Sequence, residues 1–90
     1  MTDRKQITEK LSKVLYLTSD VLEQHEIADL NSYIHFHEWG IFYQQLCDNI
    51  IEYDRPISTQ TYELLKDISK TIGMDSFHWK YLEELISDRS

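Results

Sequence analysis

One segment constrains this chain more than any other: an aromatic-rich helix that has to stop before a proline. Between residues 39 and 53 the apolar side chains recur at helical spacing and fall on one wide stripe. Pro56 lacks the N–H that a helix interior needs and disfavours helical geometry at Arg55, so the helix is predicted to end near Tyr53. A stripe this wide can touch more than one neighbour, which places the helix at the centre of a bundle. The residues of the stripe are Trp39, Phe42, Tyr43, Leu46 and Ile50, with Cys47 and Ile51 at its edges.

Two amphipathic segments precede this central helix. Residues 3–18 predict a first helix, and residues 20–35 contain a second one. The start of the second helix is open, since it could begin at Asp20 or only near His25. The apolar residues at helical spacing are Ile7, Leu11, Val14 and Leu15 in the first segment and Ile27, Leu30 and Ile34 in the second.

Two further helices are predicted after the proline. Ser58 or Thr59 can cap a helix that ends at Gly73, because glycine readily adopts the left-handed conformation that closes a helix. Asp75 can cap a last helix that runs to about Ser87. The apolar positions are Tyr62, Leu65, Ile68 and Ile72 in the first of these helices and Phe77, Trp79, Tyr81, Leu82, Leu85 and Ile86 in the second.

These patterns define a fold class and a cellular setting. Ninety residues with 41% hydrophobic and 28% charged residues suit one soluble domain, and no strand-like alternation occurs. We therefore expect an all-α fold, a compact bundle of four to five short helices over residues 1–90. No apolar run could serve as a signal peptide or a membrane span. The single cysteine, Cys47, lies on the apolar stripe and predicts a buried thiol, which is typical of a cytoplasmic protein.

The charge of the chain is unevenly distributed. The net charge is −7, which disfavours direct binding to nucleic acid, because phosphate binding needs a basic surface. From Val14 to Asp54 there is no lysine or arginine. Such a segment carries a negative field that accelerates encounter with a basic partner, although an acidic surface also serves solubility alone. Its eight carboxylates are Asp20, Glu23, Glu26, Asp29, Glu38, Asp48, Glu52 and Asp54.

The residues that could support chemistry do not form a convincing site. His35, His37 and Glu38, with His25 one element earlier, could in principle hold a metal, but their spacing matches no zinc pattern. A buried Cys47 would lack the electropositive setting that makes a thiolate reactive, and there is no glycine-rich phosphate loop. We expect no enzyme activity, no metal and no cofactor.

Several short motifs carry a resemblance to a known family. The chain resembles the MafI-type immunity proteins of bacteria over residues of roughly 26 to 86, and it departs from that pattern at His35-Phe36-His37. The resemblance implies a small helical protein that neutralises the matching toxin of a polymorphic or contact-dependent inhibition system. It carries no contact residues over, because these vary between pairs. The motifs are Glu38-Trp39-Gly40, Leu46-Cys47-Asp48 with Glu52, Pro56-Ile57-Ser58 with Tyr62, and Gly73-Met74-Asp75 with Trp79, Leu82 and Leu85.

Charge and resemblance lead to one hypothesis about the partner. An acidic domain without catalytic machinery suits a stoichiometric inhibitor of a basic toxin domain such as an RNase or DNase, with no membrane or direct nucleic-acid contact. Tyr33 could belong to this interface or be a half-buried core tyrosine, and Ile41 would be its apolar centre. The alternatives are an acidic adaptor or nucleic-acid mimic that binds a basic regulatory partner, and a small histidine-based metal protein. The candidate partner-binding residues are Glu23, Glu26, Asp29, Tyr33, Ile41, Asp48, Glu52 and Asp54.

Overall fold

Five helices make up the part of the chain that the structure describes. The computed structural model describes residues 4–74 and 79–87. The predicted all-α class is confirmed, and the radius of gyration of 12.2 Å equals the value of about 12 Å expected for a compact chain of this length. No helix within the described ranges is long and apolar enough to cross a membrane. The helices are α1 (Arg4–Thr18), α2 (Gln24–His35), α3 (Trp39–Glu52), α4 (Thr59–Ile72) and α5 (Trp79–Glu84).

The central position predicted for α3 is confirmed. Helix α3 packs against α2, α4 and α5, while α1 closes the bundle by packing against α2 and α4. Most of its inward stripe is buried, while Trp39 at its start and Ile51 at its edge are half-buried. The helix ends at Glu52, one residue before Tyr53, as Pro56 requires. The buried apolar residues of α3 are Phe42, Tyr43, Leu46, Cys47 and Ile50.

Side-chain caps determine where α4 and α2 begin. Ser58 caps α4, because its hydroxyl accepts a hydrogen bond from the Thr61 N–H at 3.0 Å. Helix α2 begins at Gln24, so the later of the two starts left open by the sequence is nearer to the structure. The residue before it is Glu23, whose N–H donates to the Glu26 carboxylate at 2.8 Å. This reciprocal cap fixes the start of α2.

Three helices end in the same left-handed turn. Gly73 follows α4 with φ 72°, as predicted, while His37 follows α2 with φ 58° and Asp54 follows α3 with φ 49°. After α2, the Glu38 N–H donates to the Tyr33 carbonyl at 2.8 Å, which is the long hydrogen bond of a Schellman motif. Because left-handed geometry disfavours side chains with a Cβ, the turns at His37 and Asp54 are strained.

The last helix is shorter than the sequence predicted. Helix α5 ends at Glu84 rather than near Ser87, because the residues that follow it pair with the loop between α3 and α4. The Ile57 N–H donates to the Leu85 carbonyl at 3.1 Å, and the Ser87 N–H donates to the Ile57 carbonyl at 3.0 Å. These bonds form a parallel bridge between Ile57 and Ile86 that anchors α5 beside α3. The predicted cap Asp75, the apolar Phe77 and the side chain of Trp79 lie outside the described residues.

Candidate partner-binding surface

The outward face of α3 contains three of the predicted site residues. Ile41, Asp48 and Glu52 are all exposed, and 50% of the Ile41 surface is accessible. They share this face because they are separated by seven and four residues, which correspond to about two turns and one turn of helix. The structure therefore combines one apolar and two acidic side chains along a single line.

A cleft opens where this face meets α5. It has a volume of about 330 Å³, and the described residues that line it are Asp48, Ile51, Glu52 and Tyr81. The Tyr81 side chain is 56% exposed. The sequence analysis missed this residue, since it counted Tyr81 among the apolar positions of the last helix. Helical periodicity does not separate burial from exposure at this position, because Tyr81 lies only about 100° around the helix from the fully buried Leu82.

The two carboxylates of the cleft are not neutralised within the described part of the chain. The ion pairs found there join Lys10 to Asp67 and Arg55 to Glu26, and neither involves Asp48 or Glu52. Both carboxylates also conflict with local helix electrostatics. They repel each other at i,i+4, and they lie towards the carboxyl end of α3, where the helix dipole disfavours negative charge.

One predicted site residue has a structural role instead. Glu26 is buried, and its carboxylate accepts hydrogen bonds from the Arg55 guanidinium at 2.5 Å and from the Glu23 N–H at 2.8 Å. Burial alone would raise the pKa of Glu26, but the Glu23 N–H and the Arg55 cation outweigh it and hold the pKa below its ordinary value of 4.5. Glu26 is therefore removed from the candidate surface, which corrects the sequence analysis.

The remaining predicted residues lie outside the cleft. Glu23 and Asp29 are exposed on or beside α2, and Asp54 is exposed in the turn that follows α3. Tyr33 is half-buried and packs against the core, so that only part of its side chain can reach a partner. None of these four residues lines the cleft between α3 and α5.

The cysteine and the histidines differ sharply in environment. Cys47 is fully buried with a free thiol, and burial raises its pKa to about 12, so the nucleophilic thiolate is not formed at neutral pH. His35 and His37 are exposed, and their rings lie 5.0 Å from the Phe36 ring and 4.9 Å from the Trp39 ring, respectively. Within residues 4–74 and 79–87, no three His, Cys, Asp or Glu side chains come together as metal ligands would.

The cleft combines features that are characteristic of protein recognition. An exposed tyrosine ring and an apolar wall can bury apolar area, and two carboxylates that pair with no described cation can attract a basic group at the same place. The four described lining residues do not include an acid, a base and a nucleophile oriented relative to one another, as a hydrolytic site would need. Comparison with models of protein families, with curated proteins and with solved structures finds no match to this chain.

Proposed function

We propose that this protein is an immunity protein, which binds the basic catalytic domain of a cognate bacterial toxin and neutralises it as a stoichiometric inhibitor in the cytosol. The observation that carries the proposal is the cleft in which Asp48 and Glu52 lie beside Tyr81 without an ion pair to any described residue. The resemblance of the sequence motifs to MafI-type immunity proteins supports the same class. A toxin that cleaves RNA or DNA is the partner with the most suitable charge, because a nuclease has a basic substrate-binding surface.

The unfavourable electrostatics of the cleft favour a role in binding. A helix end is normally stabilised by cations in its last turn, whereas the last turn of α3 has none and carries Glu52. Residues that break a local rule without a compensating contact in the fold are expected at functional sites. A basic partner would supply the positive charge that stabilises the carboxylates at this end of α3.

Binding would use charge and apolar contact in succession. The segment from Val14 to Asp54 has no lysine or arginine, so its field attracts a basic surface over a distance of about one Debye length. Once the surfaces touch, the exposed side chains of Ile41 and Tyr81 can bury apolar area at the centre of the contact. Long-range attraction sets the association rate, and the apolar contact slows dissociation.

The test is binding to, and protection against, the toxin domain encoded by the adjacent upstream reading frame. The double variant Asp48→Lys/Glu52→Lys should slow association and abolish protection, with an unchanged helical circular-dichroism spectrum. A matched control is Glu9→Lys/Glu63→Lys, which changes the net charge equally at exposed positions of α1 and α4. The control should protect as well as the wild-type protein does.

Two results would contradict the proposal. One is a folded protein that forms no one-to-one complex with the toxin domain. The other is binding to several unrelated basic proteins with similar affinity, which would instead indicate the acidic adaptor or nucleic-acid mimic.

A further inference from the structure

We propose that the cleft between α3 and α5 binds one arginine side chain of the partner, and that it prefers arginine to lysine. The inference deepens the proposed function, since it specifies which basic group of the partner enters the site. It rests on the placement of Asp48, Ile51, Glu52 and Tyr81 around one opening.

The spacing of the two carboxylates suits a guanidinium group. Asp48 and Glu52 are one helical turn apart, about 6 Å along the axis of α3. A guanidinium group is planar and has five N–H donors directed to more than one side, so that it can donate to both carboxylates at once. A lysine ammonium is a compact charge, which is drawn to the same field but matches the two acceptors less well.

The other two lining residues suit the rest of an arginine side chain. The exposed ring of Tyr81 offers a face on which a guanidinium can stack, and Ile51 offers apolar surface to its methylene groups. The chain contains an internal example of this contact, because the Arg55 guanidinium carbon lies 4.7 Å from the centre of the Tyr53 ring. The cleft of about 330 Å³ is at the lower end of ligand-pocket volumes, which fits a single side chain better than a helix.

A cation in the cleft would also relieve a conflict within the free protein. The charges of Asp48 and Glu52 repel each other, and both oppose the dipole of α3. A guanidinium bound between the two carboxylates would attract both of them, and it would place a positive charge near the carboxyl end of α3, where the helix dipole favours one. As far as the described residues determine it, the electrostatic energy of the site therefore becomes more favourable when a cation is bound.

The proposal can be tested without the toxin. The probes are N-acetyl-arginine amide and N-acetyl-lysine amide, which are neutral at both ends and differ in the cation. Each is titrated into the full-length protein while amide and tyrosine ring signals are followed by NMR. The arginine probe should shift the signals of Asp48, Ile51, Glu52 and Tyr81, and it should bind about two- to fivefold more tightly than the lysine probe.

Variants separate charge from stacking. Asp48→Asn/Glu52→Gln should abolish the shifts caused by both probes. Tyr81→Leu should weaken binding of the arginine probe and reduce its advantage over the lysine probe, because it removes the aromatic face and leaves both carboxylates in place. Glu63→Gln, an exposed carboxylate on α4, is the matched control and should leave both titrations unchanged.

The results also distinguish this inference from the proposed function. Equal affinity for the two probes, or shifts that avoid the cleft, would overturn the preference for arginine. A toxin complex that depends on Asp48 and Glu52 while the arginine probe leaves the cleft signals unchanged would overturn this inference alone. Arginine-selective shifts in a protein that binds no toxin domain would support the ligand assignment and contradict the immunity function.

Discussion

The Arg55 guanidinium lies 2.5 Å from the carboxylate of Glu26, a residue 29 positions earlier in the chain. Only 13% of the Arg55 side chain and 8% of the Glu26 side chain are accessible. Because the same carboxylate also accepts the Glu23 N–H, it fixes the start of α2 and binds the loop after α3. Arg55 is the first cation after the acidic segment, and this pairing uses it inside the fold. Among the residues that the structure describes, Asp48 and Glu52 form no ion pair.

Removing the cation of this pair should destabilise the protein. Arg55→Met leaves the Glu26 carboxylate nearly buried without a charge partner, which should lower the free energy of unfolding by about 3 kcal/mol. Denaturant unfolding followed by circular dichroism measures this loss. The double variant Glu26→Gln/Arg55→Met should lose less than Arg55→Met alone, because no buried charge remains. Simple addition of the two single effects would show that the residues are not coupled.

The same pair makes stability depend on pH on the acid side. The pKa of Glu26 is lower in the folded protein than its ordinary value of 4.5, so folding favours the ionised form. This contribution is fully present above pH 4.5 and is lost as the pH falls through the lower pKa of the folded state. The difference in unfolding free energy between wild type and Glu26→Gln should therefore shrink as the solution is acidified below pH 4.5. A difference that is constant from pH 7 to pH 3 would contradict the lowered pKa.

Substitutions at the left-handed residues His37 and Gly73 should change the stability of the protein in opposite directions. His37→Gly removes the Cβ from a left-handed residue and should stabilise the protein by up to about 1 kcal/mol. Gly73→Ala introduces a Cβ at the same kind of position and should destabilise it by about 1 kcal/mol. Thermal unfolding detects either change as a shift of about 4–8 °C. Destabilisation by His37→Gly would indicate that the histidine ring contact with Trp39 outweighs the backbone strain.

The thiol of Cys47 should report global unfolding. Its side chain is fully buried and its pKa is about 12, so an aromatic disulfide reagent should not label it at pH 8 while the protein is folded. Labelling in denaturant should be complete and should follow the unfolding curve measured by circular dichroism. Rapid labelling of the native protein would mean that α3 opens locally without unfolding of the bundle.

Neutralising the cleft should make the free protein more stable and should weaken its binding to the proposed partner. Glu52→Gln removes a charge from the carboxyl end of α3 and a repulsion with Asp48, and together these changes should raise the free energy of unfolding by about 0.5 kcal/mol. The same variant should bind the proposed partner, a toxin domain, more weakly. Denaturant unfolding and binding measured on one preparation test both effects. A loss of stability in Glu52→Gln would show that the carboxylate supports the fold.

The sequence predicts most of this fold because its signals are local. The apolar stripe of α3, the Ser58 cap and the Gly73 turn each depend on a few neighbouring residues, and the structure confirms all three. The predicted end of α5 was wrong, because the actual end depends on hydrogen bonds to Ile57, which is far away in the chain. Periodicity contains no information about such a contact.

The candidate surface was harder to predict for the same reason. Glu26 and Glu52 are both acidic residues in or next to helical segments, yet one is buried against Arg55 and the other is exposed. Only the tertiary arrangement of α2 and α3 determines which of the two glutamates is buried and which is exposed. Tyr81 was missed because a tyrosine next to a core leucine is equally compatible with burial and with exposure at an edge.

Helix α3 carries the residues that build the bundle and the candidate binding residues on opposite faces. Its inward residues are buried, whereas Ile41, Asp48 and Glu52 are exposed, and neither carboxylate forms an ion pair with a described residue. Substitutions at these three exposed positions should therefore change the outer surface of the helix at little cost to folding. The binding properties of this surface can thus vary while the fold is retained.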